Sequence, residues 1–300
     1  GHGVMPSTVC SVGEVLNMGY VIAGEKTTAT FKIQNTSTLT LPYSIQLDSL
    51  SSTRDKDQQR LPSSITSSLQ TTEFVGTQNY NGLSVFSIFP TEGEIVAGKS
   101  QEFVVTFSPD HESLCYSDRL EVVLFGKKIA HVIQLKGAAR DHPMFVEGGV
   151  PLDVPVESLA VTLPGSLLEA LKGGNVLPLY YSAVKKSILL ILEHTEGESS
   201  AVPAMTELKI GAIQSAQFAS KKKLEFSFDS LPLLQRKGFT IEPVKGAVQR
   251  GQVKCISVSW VPPADFSADD PLLVTALLTL KGDTKESYRI LFVAKVVSAC

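Results

Sequence analysis

Three hundred residues, 43% hydrophobic and 19% charged, are enough chain for two globular cores, and 27 basic against 30 acidic groups leave a net charge of −3. No basic excess draws the chain to DNA, RNA or anionic lipid, so no nucleic-acid partner is expected. The longest apolar runs, SILLILE (187–193) and PLLVTALLTL (271–280), fall short of the roughly 18 residues of a membrane helix, and no signal segment opens the chain, so membrane insertion is not expected. Cys10, Cys115, Cys255 and Cys300 lack C-x-x-C spacing and read as reduced thiols of a cytosolic chain. The abrupt ends GHG and SAC read as those of a piece cut from a longer protein.

Taken in chain order, the predicted elements alternate with period two and are rich in Val, Ile, Phe, Thr and Tyr, as half-buried strands are: TATFKIQN (28–35), PYSIQLDS (42–49), QEFVVTFSP (101–109), RLEVVLFG (119–126) and KIAHVIQLKG (128–137). Between the second and third lies a Ser/Thr/Gln-rich segment, 51–80, headed by RDKDQQR, which reads as a long surface loop. Residues 141–183 carry the Pro/Gly punctuation of a linker, with a short helix near 166–172, where Ser166 and Glu169 have capping-box spacing and Gly173 stops the turn. A second domain is expected from 184 to 300, and the first from 1 to 140.

The second domain shows itself as a repeat. FSIFPTEGEIVAGKSQEFVVTFSP (86–109) matches FTIEPVKGAVQRGQVKCISVSWVP (239–262) without a gap at an offset of 153. Phe103, Val105 and Phe107 fall on one strand face, as do Ile256, Val258 and Trp260, so Trp260 reads as core. Weaker matches align 42–50 with 223–231 at an offset of 181, and 16–21 with 208–213 at 192. About seven short strands per unit predict an all-β chain of two tandem immunoglobulin-like sandwiches, neither with the Cys…Trp…Cys framework of antibody domains.

Inside the repeat, Gly93, Gly98, Lys99 and Ser100 spell G-x-x-x-x-G-K-[ST], a phosphate loop that would bind ATP or GTP and make the chain a nucleotide-dependent enzyme. That loop must pass into a helix, whereas QEFVVTFSP reads as a strand, and the repeat keeps both glycines as Gly246 and Gly251 while replacing Lys99 and Ser100 by Gln252 and Val253. The match is therefore read as a false one, its glycines serving positive-φ turn geometry, and no cofactor is expected. His111, Glu112, Cys115 and Asp118 cluster in a loop and read as a solvated turn ahead of a metal or thiol site. His131, on an alternating strand, reads as a hydrogen-bonded rim residue, and Lys221 to Lys223 as a wet edge ahead of a contact for acidic partners. No nucleophile–His–acid or H-E-x-x-H pattern is present, so no metal, small-molecule substrate or catalysis is expected.

The run FxIxPxxGxIxxGxxxxFxVxFxP, followed by a hairpin and IQLKGAA, resembles the major-sperm-protein/ASPM–SPD-2–Hydin (MSP/ASH) domain family over most of 12–140 and more weakly over 203–297. The resemblance implies cytosolic seven-stranded sandwiches acting as a scaffold in the cytoskeleton of the cilium or flagellum. It implies partners among other proteins of the axonemal central apparatus, near a central-pair microtubule. The alternative it implies is an MSP-type reader of short acidic peptide motifs, although Asn35-Thr36-Ser37 stands where those readers carry Asn-Pro-Thr.

Overall fold

The computed structural model describes residues 3, 5–50, 75–152, 186–197, 202–215, 223–267 and 271–298. They form two compact units, Gly1–Asp141 and His142–Cys300. The helix expected near 166–172, most of the 51–80 loop, and Lys221 and Lys222 lie outside the described residues.

The first unit comprises strands β1 (Thr8–Cys10), β2 (Val15–Ile22), β3 (Thr27–Asn35), β4 (Leu41–Leu47), β5 (Phe86–Phe89), β6 (Glu92–Ile95), β7 (Ser100–Phe107), β8 (Ser113–Leu124) and β9 (Lys128–Arg140). They form two sheets, β1-β3-β7-β5 and β2-β9-β8-β4-β6. Period-two alternation turns one face of each sheet inward, where Phe31, Ile33, Phe103, Val105 and Phe107 of one meet Tyr43, Leu120, Val122, Ile133 and Leu135 of the other. Each such side chain, taken fully out of water, stabilises the sandwich by about 1.5–3 kcal/mol before chain entropy is counted. Phe107 fixes its neighbours most tightly: its ring stacks on Phe86 at 5.0 Å and lies 2.6 Å from where a Cβ on Gly137 would stand.

The second unit repeats this plan with β10 (Met144–Glu147), β11 (Val150–Pro151), β12 (Lys186–Glu196), β13 (Ala204–Ala212), β14 (Leu224–Phe228), helix α1 (Leu231–Arg236), β15 (Phe239–Glu242), β16 (Lys245–Val248), β17 (Val253–Trp260), β18 (Leu272–Lys281) and β19 (Lys285–Ser298). Its sheets run β10-β13-β17-β15 and β11-β12-β19-β18-β14-β16. Trp260 is fully buried, its Nε1–H donating to the Lys237 carbonyl at 2.9 Å, in register with Phe239 as Phe107 is with Phe86.

Two expectations need correcting. Seven strands per sandwich become nine and ten among the described residues, because single runs switch sheets: β1 passes to β2, and β5 to β6, with Pro90 after the switch and Pro243 in the copy. Residues 141–152 are no linker, since β10 pairs antiparallel with β13 and β11 with β12, both inside the second unit. β10 and β12 stand to β13 and β19 as β1 and β2 stand to β3 and β9, so the strands described on either side of the expected linker both belong to the second sandwich. Pro/Gly punctuation marks an interruption of regular structure and carries no information on which domain is interrupted.

The weaker repeat matches also change. LNMGYV belongs to β2, which pairs parallel with β9, whereas LKIGAI belongs to β13, which takes the place of β3, so the offset of 192 joins strands that are not equivalent. The β4–β14 match is right in strand and wrong by two residues. Tyr43 lies opposite Gly93 and Phe226 opposite Gly246, and the amide of Ile45 reaches the Thr91 carbonyl as that of Phe228 reaches Val244. A two-residue slip keeps every side chain on its face, so the sequence pattern cannot detect it.

Candidate interaction surfaces

Residues 93–100 form a turn and two strand ends. The Lys99 amide donates to the Val96 carbonyl at 2.9 Å and Gly98 has φ of 74°, the geometry of a tight turn with a left-handed third residue. The Gly98 amide donates to Asn35 O at 2.9 Å, and Ser100 opens β7. A phosphate loop needs its N–H groups free and a helix behind it; here the Gly98 and Lys99 amides are already bonded to carbonyls and a strand follows. The copy repeats the bonds, Gln252 to Gln249 at 2.9 Å and Gly251 to Ala212 at 2.8 Å, with Gly251 at φ 76°. The first glycine of each pair has a different task from the one expected: Gly93 and Gly246 are not left-handed. A Cβ on Gly93 would stand 2.8 Å from the Tyr43 hydroxyl, and one on Gly246 would stand 3.2 Å from the Phe226 ring, so both glycines make room for an aromatic ring on the neighbouring strand.

Asn35, fully buried, ties this hairpin to the turn before β4: its Nδ2 donates to Leu39 O at 2.6 Å and Ile95 O at 2.8 Å, while its Oδ1 accepts from the Ser37 amide and hydroxyl. The Asn-Thr-Ser triplet is thus a structural knot with its amide group committed.

His111, Glu112, Cys115 and Asp118 do not converge. His111 bonds Asp110 at 2.6 Å, stacks on Tyr80 at 3.6 Å between centroids and receives Tyr116, whose hydroxyl donates to the His111 carbonyl at 2.6 Å. Burial pushes the Tyr116 phenol up to about 12, and the His111 bond holds the Asp110 carboxyl below its usual range. Glu112 turns to Arg140, buried at 1% exposure, whose Nη1 donates at 3.0 Å, and accepts the Asp141 amide at 2.8 Å. Cys115 is exposed. Asp118 accepts the Ser49 hydroxyl and amide and the Arg119 amide, and its burial raises the carboxyl above its usual range. Three of the four residues therefore fasten three different neighbours: His111 and Glu112 lie in the turn before β8, and within β8 alternation leaves Cys115 exposed and turns Asp118 inward, so the pair does not share the solvated turn expected of them. Among the described residues no three His, Cys, Asp or Glu side chains could hold a metal ion.

His131 bonds Thr8 Oγ1 at 2.7 Å across the mouth of a groove of about 690 Å³ between β1 and β9, and burial lowers its pKa. Sequence reasoning missed two fastenings: the Arg140–Glu112 pair and buried His142, whose Nδ1 accepts the Met144 amide and whose Nε2 lies 3.0 Å from the Thr284 carbonyl. Both join residues far apart in sequence, and no local spacing announces them.

Among the described residues, no further strand pairs with the outer strands of the sheets. β1, β5, β2 and β6 bound the sheets of the first unit, and β10, β15, β11 and β16 those of the second. Unpaired N–H and C=O groups along such edges can receive another strand.

No protein-family model matches the chain. Two curated proteins do: human cilia- and flagella-associated protein 74, 44% identical over 301 residues and 99% of this chain, and its mouse counterpart at 42% over the same share. The chain is homologous to one region of that protein. It spans 16% of the length of these two relatives, so the homology to cilia- and flagella-associated protein 74 speaks for this region alone. Among solved structures, an ASH / PapD-like domain of human CEP192 gives a TM-score of 0.32 at 11% identity, covering 45% of this chain and 86% of that one. A Caenorhabditis elegans MSP family member, WR4, gives 0.24 at 10% identity, covering 46% and 100%.

Proposed function

We propose that this chain is a non-catalytic, protein-binding structural module of a ciliary or flagellar axoneme, working in the central apparatus as two tandem sandwiches that hold neighbouring axonemal proteins. The observation that carries the reading is the alignment, at 44% identity over 99% of the chain, with a cilia- and flagella-associated protein. The fold supports it: each unit places its copy of the repeat in a core, and Asp110, His111, Glu112, Tyr116 and Asp118 are committed to structural bonds. Open strand edges supply a binding mode that needs no pocket or cofactor. Localisation to the axoneme and partners among central-apparatus proteins follow from the same reading. The test is affinity purification of the tagged full-length protein from ciliated cells, with and without residues 1–300. Loss of a defined set of axonemal proteins on deletion supports the proposal; an unchanged set, with unchanged axonemal attachment, overturns it.

A further inference from the structure

The two units present the same edge with opposite charge. In an antiparallel ladder successive residues turn their N–H and C=O groups alternately to the two sides. Ile45 donates to the Thr91 carbonyl at 2.7 Å, so Thr91, Gly93 and Ile95 face β4, while Glu92 and Glu94 turn their backbone groups outward from β6. Phe228 donates to the Val244 carbonyl at 2.9 Å, so Lys245 and Ala247 turn theirs outward from β16. All four residues are exposed. β6 thus carries two carboxylates, and β16 carries Lys245, with Lys281 two strands inward beyond Glu225. A shallow cavity of about 520 Å³ opens on this face over Phe226 and Gly246. Among the described residues none of Glu92, Glu94, Lys245 and Lys281 has an ion-pair partner.

We infer that the β6 edge of one copy of this chain adds to the β16 edge of a second copy, joining copies head to tail. Charge decides which edges meet. β6 against β6 sets Glu92 opposite Glu94 twice, which is unfavourable for residues directly across a ladder; β16 against β16 sets each Lys245 opposite Ala247 and gains no charge pair; β6 against β16 gains the attractive Glu94–Lys245 pair. Backbone geometry decides the register. Antiparallel pairing of the outward groups sets Glu94 opposite Lys245 and Glu92 opposite Ala247; sliding by two residues one way would set Glu94 opposite Pro243, which has no N–H to give, and the other way would set Glu92 opposite Gln249, whose N–H and C=O are already bonded to Gln252. Because the two surfaces differ, the contact is heterologous, and a single such contact leaves one β6 edge and one β16 edge to which further copies can add. Four-residue strands bury little area, so the expected Kd for the isolated chain is weak, on the order of hundreds of micromolar, and it rises several-fold as salt screens the carboxylates and lysines. This contact is between copies and is independent of the axonemal partners proposed above.

The experiment is sedimentation velocity on the 300-residue chain over a concentration series at low and at raised salt. Three proteins are compared: the native chain, a Glu92→Lys/Glu94→Lys variant whose edges are both basic, and a Lys245→Glu/Lys281→Glu variant whose edges are both acidic. The native chain is expected to show association that weakens as salt is raised. Each variant alone is expected to be monomeric, and an equimolar mixture of the two is expected to associate, which also shows that both are folded. A native chain that stays monomeric at millimolar concentration and low salt overturns the inference. So do variants that associate alone as the native chain does, or a mixture that stays monomeric.

Discussion

Three single substitutions in the 93–100 turn separate a sandwich hairpin from a phosphate loop by the order of their effects. Gly98 has φ of 74° with nothing within 4 Å of an added Cβ, so Gly98→Ala meets no neighbour and costs only backbone strain. That strain is about 1–2 kcal/mol for an L-residue in the left-handed region, offset in part by the lower entropy of the unfolded chain, leaving about 1 kcal/mol. Gly93→Ala meets the Tyr43 ring, at 2.8 Å from the hydroxyl and 3.1 Å from Cζ, and that ring is held edge-on to Phe103 at 5.3 Å. Shifting a packed ring costs about 1–3 kcal/mol, the largest effect of the three. Lys99 is exposed and its amide bond survives side-chain removal, so Lys99→Ala stays within about 0.5 kcal/mol of the native chain. Scanning calorimetry of the 300-residue chain is the assay, with a midpoint shift of about 3 °C per kcal/mol for a unit of this size. Gly98→Asn is expected to lose less than Gly98→Ala, because Asn tolerates the left-handed region. The reasoning fails if Lys99→Ala destabilises as much as Gly98→Ala. It also fails if magnesium-ATP raises the native midpoint and Lys99→Ala abolishes that rise.

The remaining predictions concern buried groups. Tyr116, raised from its usual value of 10 to about 12, keeps its proton longer in the folded state than in the unfolded one. Its contribution is present below pH 10 and is lost as pH rises towards 12, by up to about 2 kcal/mol; denaturant titrations of the native chain and Tyr116→Phe should therefore diverge across that window and run parallel below it. Glu112→Ala removes a carboxylate from beside the buried Arg140 guanidinium, together with the acceptor of the Asp141 amide, and should cost about 2–4 kcal/mol, more than Arg140→Met, which removes the charge and keeps the packing; equal costs in chemical denaturation would contradict this. His142→Ala frees the Met144 amide and the hydrogen-bonded contact with Thr284, so amide exchange along β10 should accelerate at least tenfold while β7 is unaffected; equal acceleration in both would show a global rather than a local effect.

The readability of this fold in its sequence varied with the distance over which each feature is determined. Strand alternation and the 153-residue repeat are local patterns, and β5 to β7 and β15 to β17 follow them residue by residue. The left-handed φ of Gly98 and Gly251 was legible, because two glycines at equal spacing between strands call for it. The role of Gly93 was not, because it depends on Tyr43, some fifty residues earlier, and only the ladder brings ring and glycine together. Sheet switching by β1–β2 and β5–β6 leaves the alternation intact and so escaped notice, as did the pairing of Met144–Glu147 with Ile210 and its neighbours. The cluster His111, Glu112, Cys115 and Asp118 reads in sequence as a solvated turn, whereas in space His111, Glu112 and Asp118 make three separate fastenings and only Cys115 is left exposed. The opposed charges of β6 and β16 were printed in the repeat itself, as Glu92 and Glu94 against Lys245 and Ala247, but became meaningful only once both strands proved to be edges.

The central claim, a protein-binding structural module of the axoneme, is tested most directly by lysine cross-linking and mass spectrometry on intact axonemes containing the full-length protein. The account predicts that exposed lysines on the β16 side of the second unit, Lys245 at the edge and Lys281 on the same sheet, cross-link to other axonemal proteins or to second copies of the chain. Cross-links confined to residues of the same chain, with the protein washing out of axonemes under mild extraction, would contradict it.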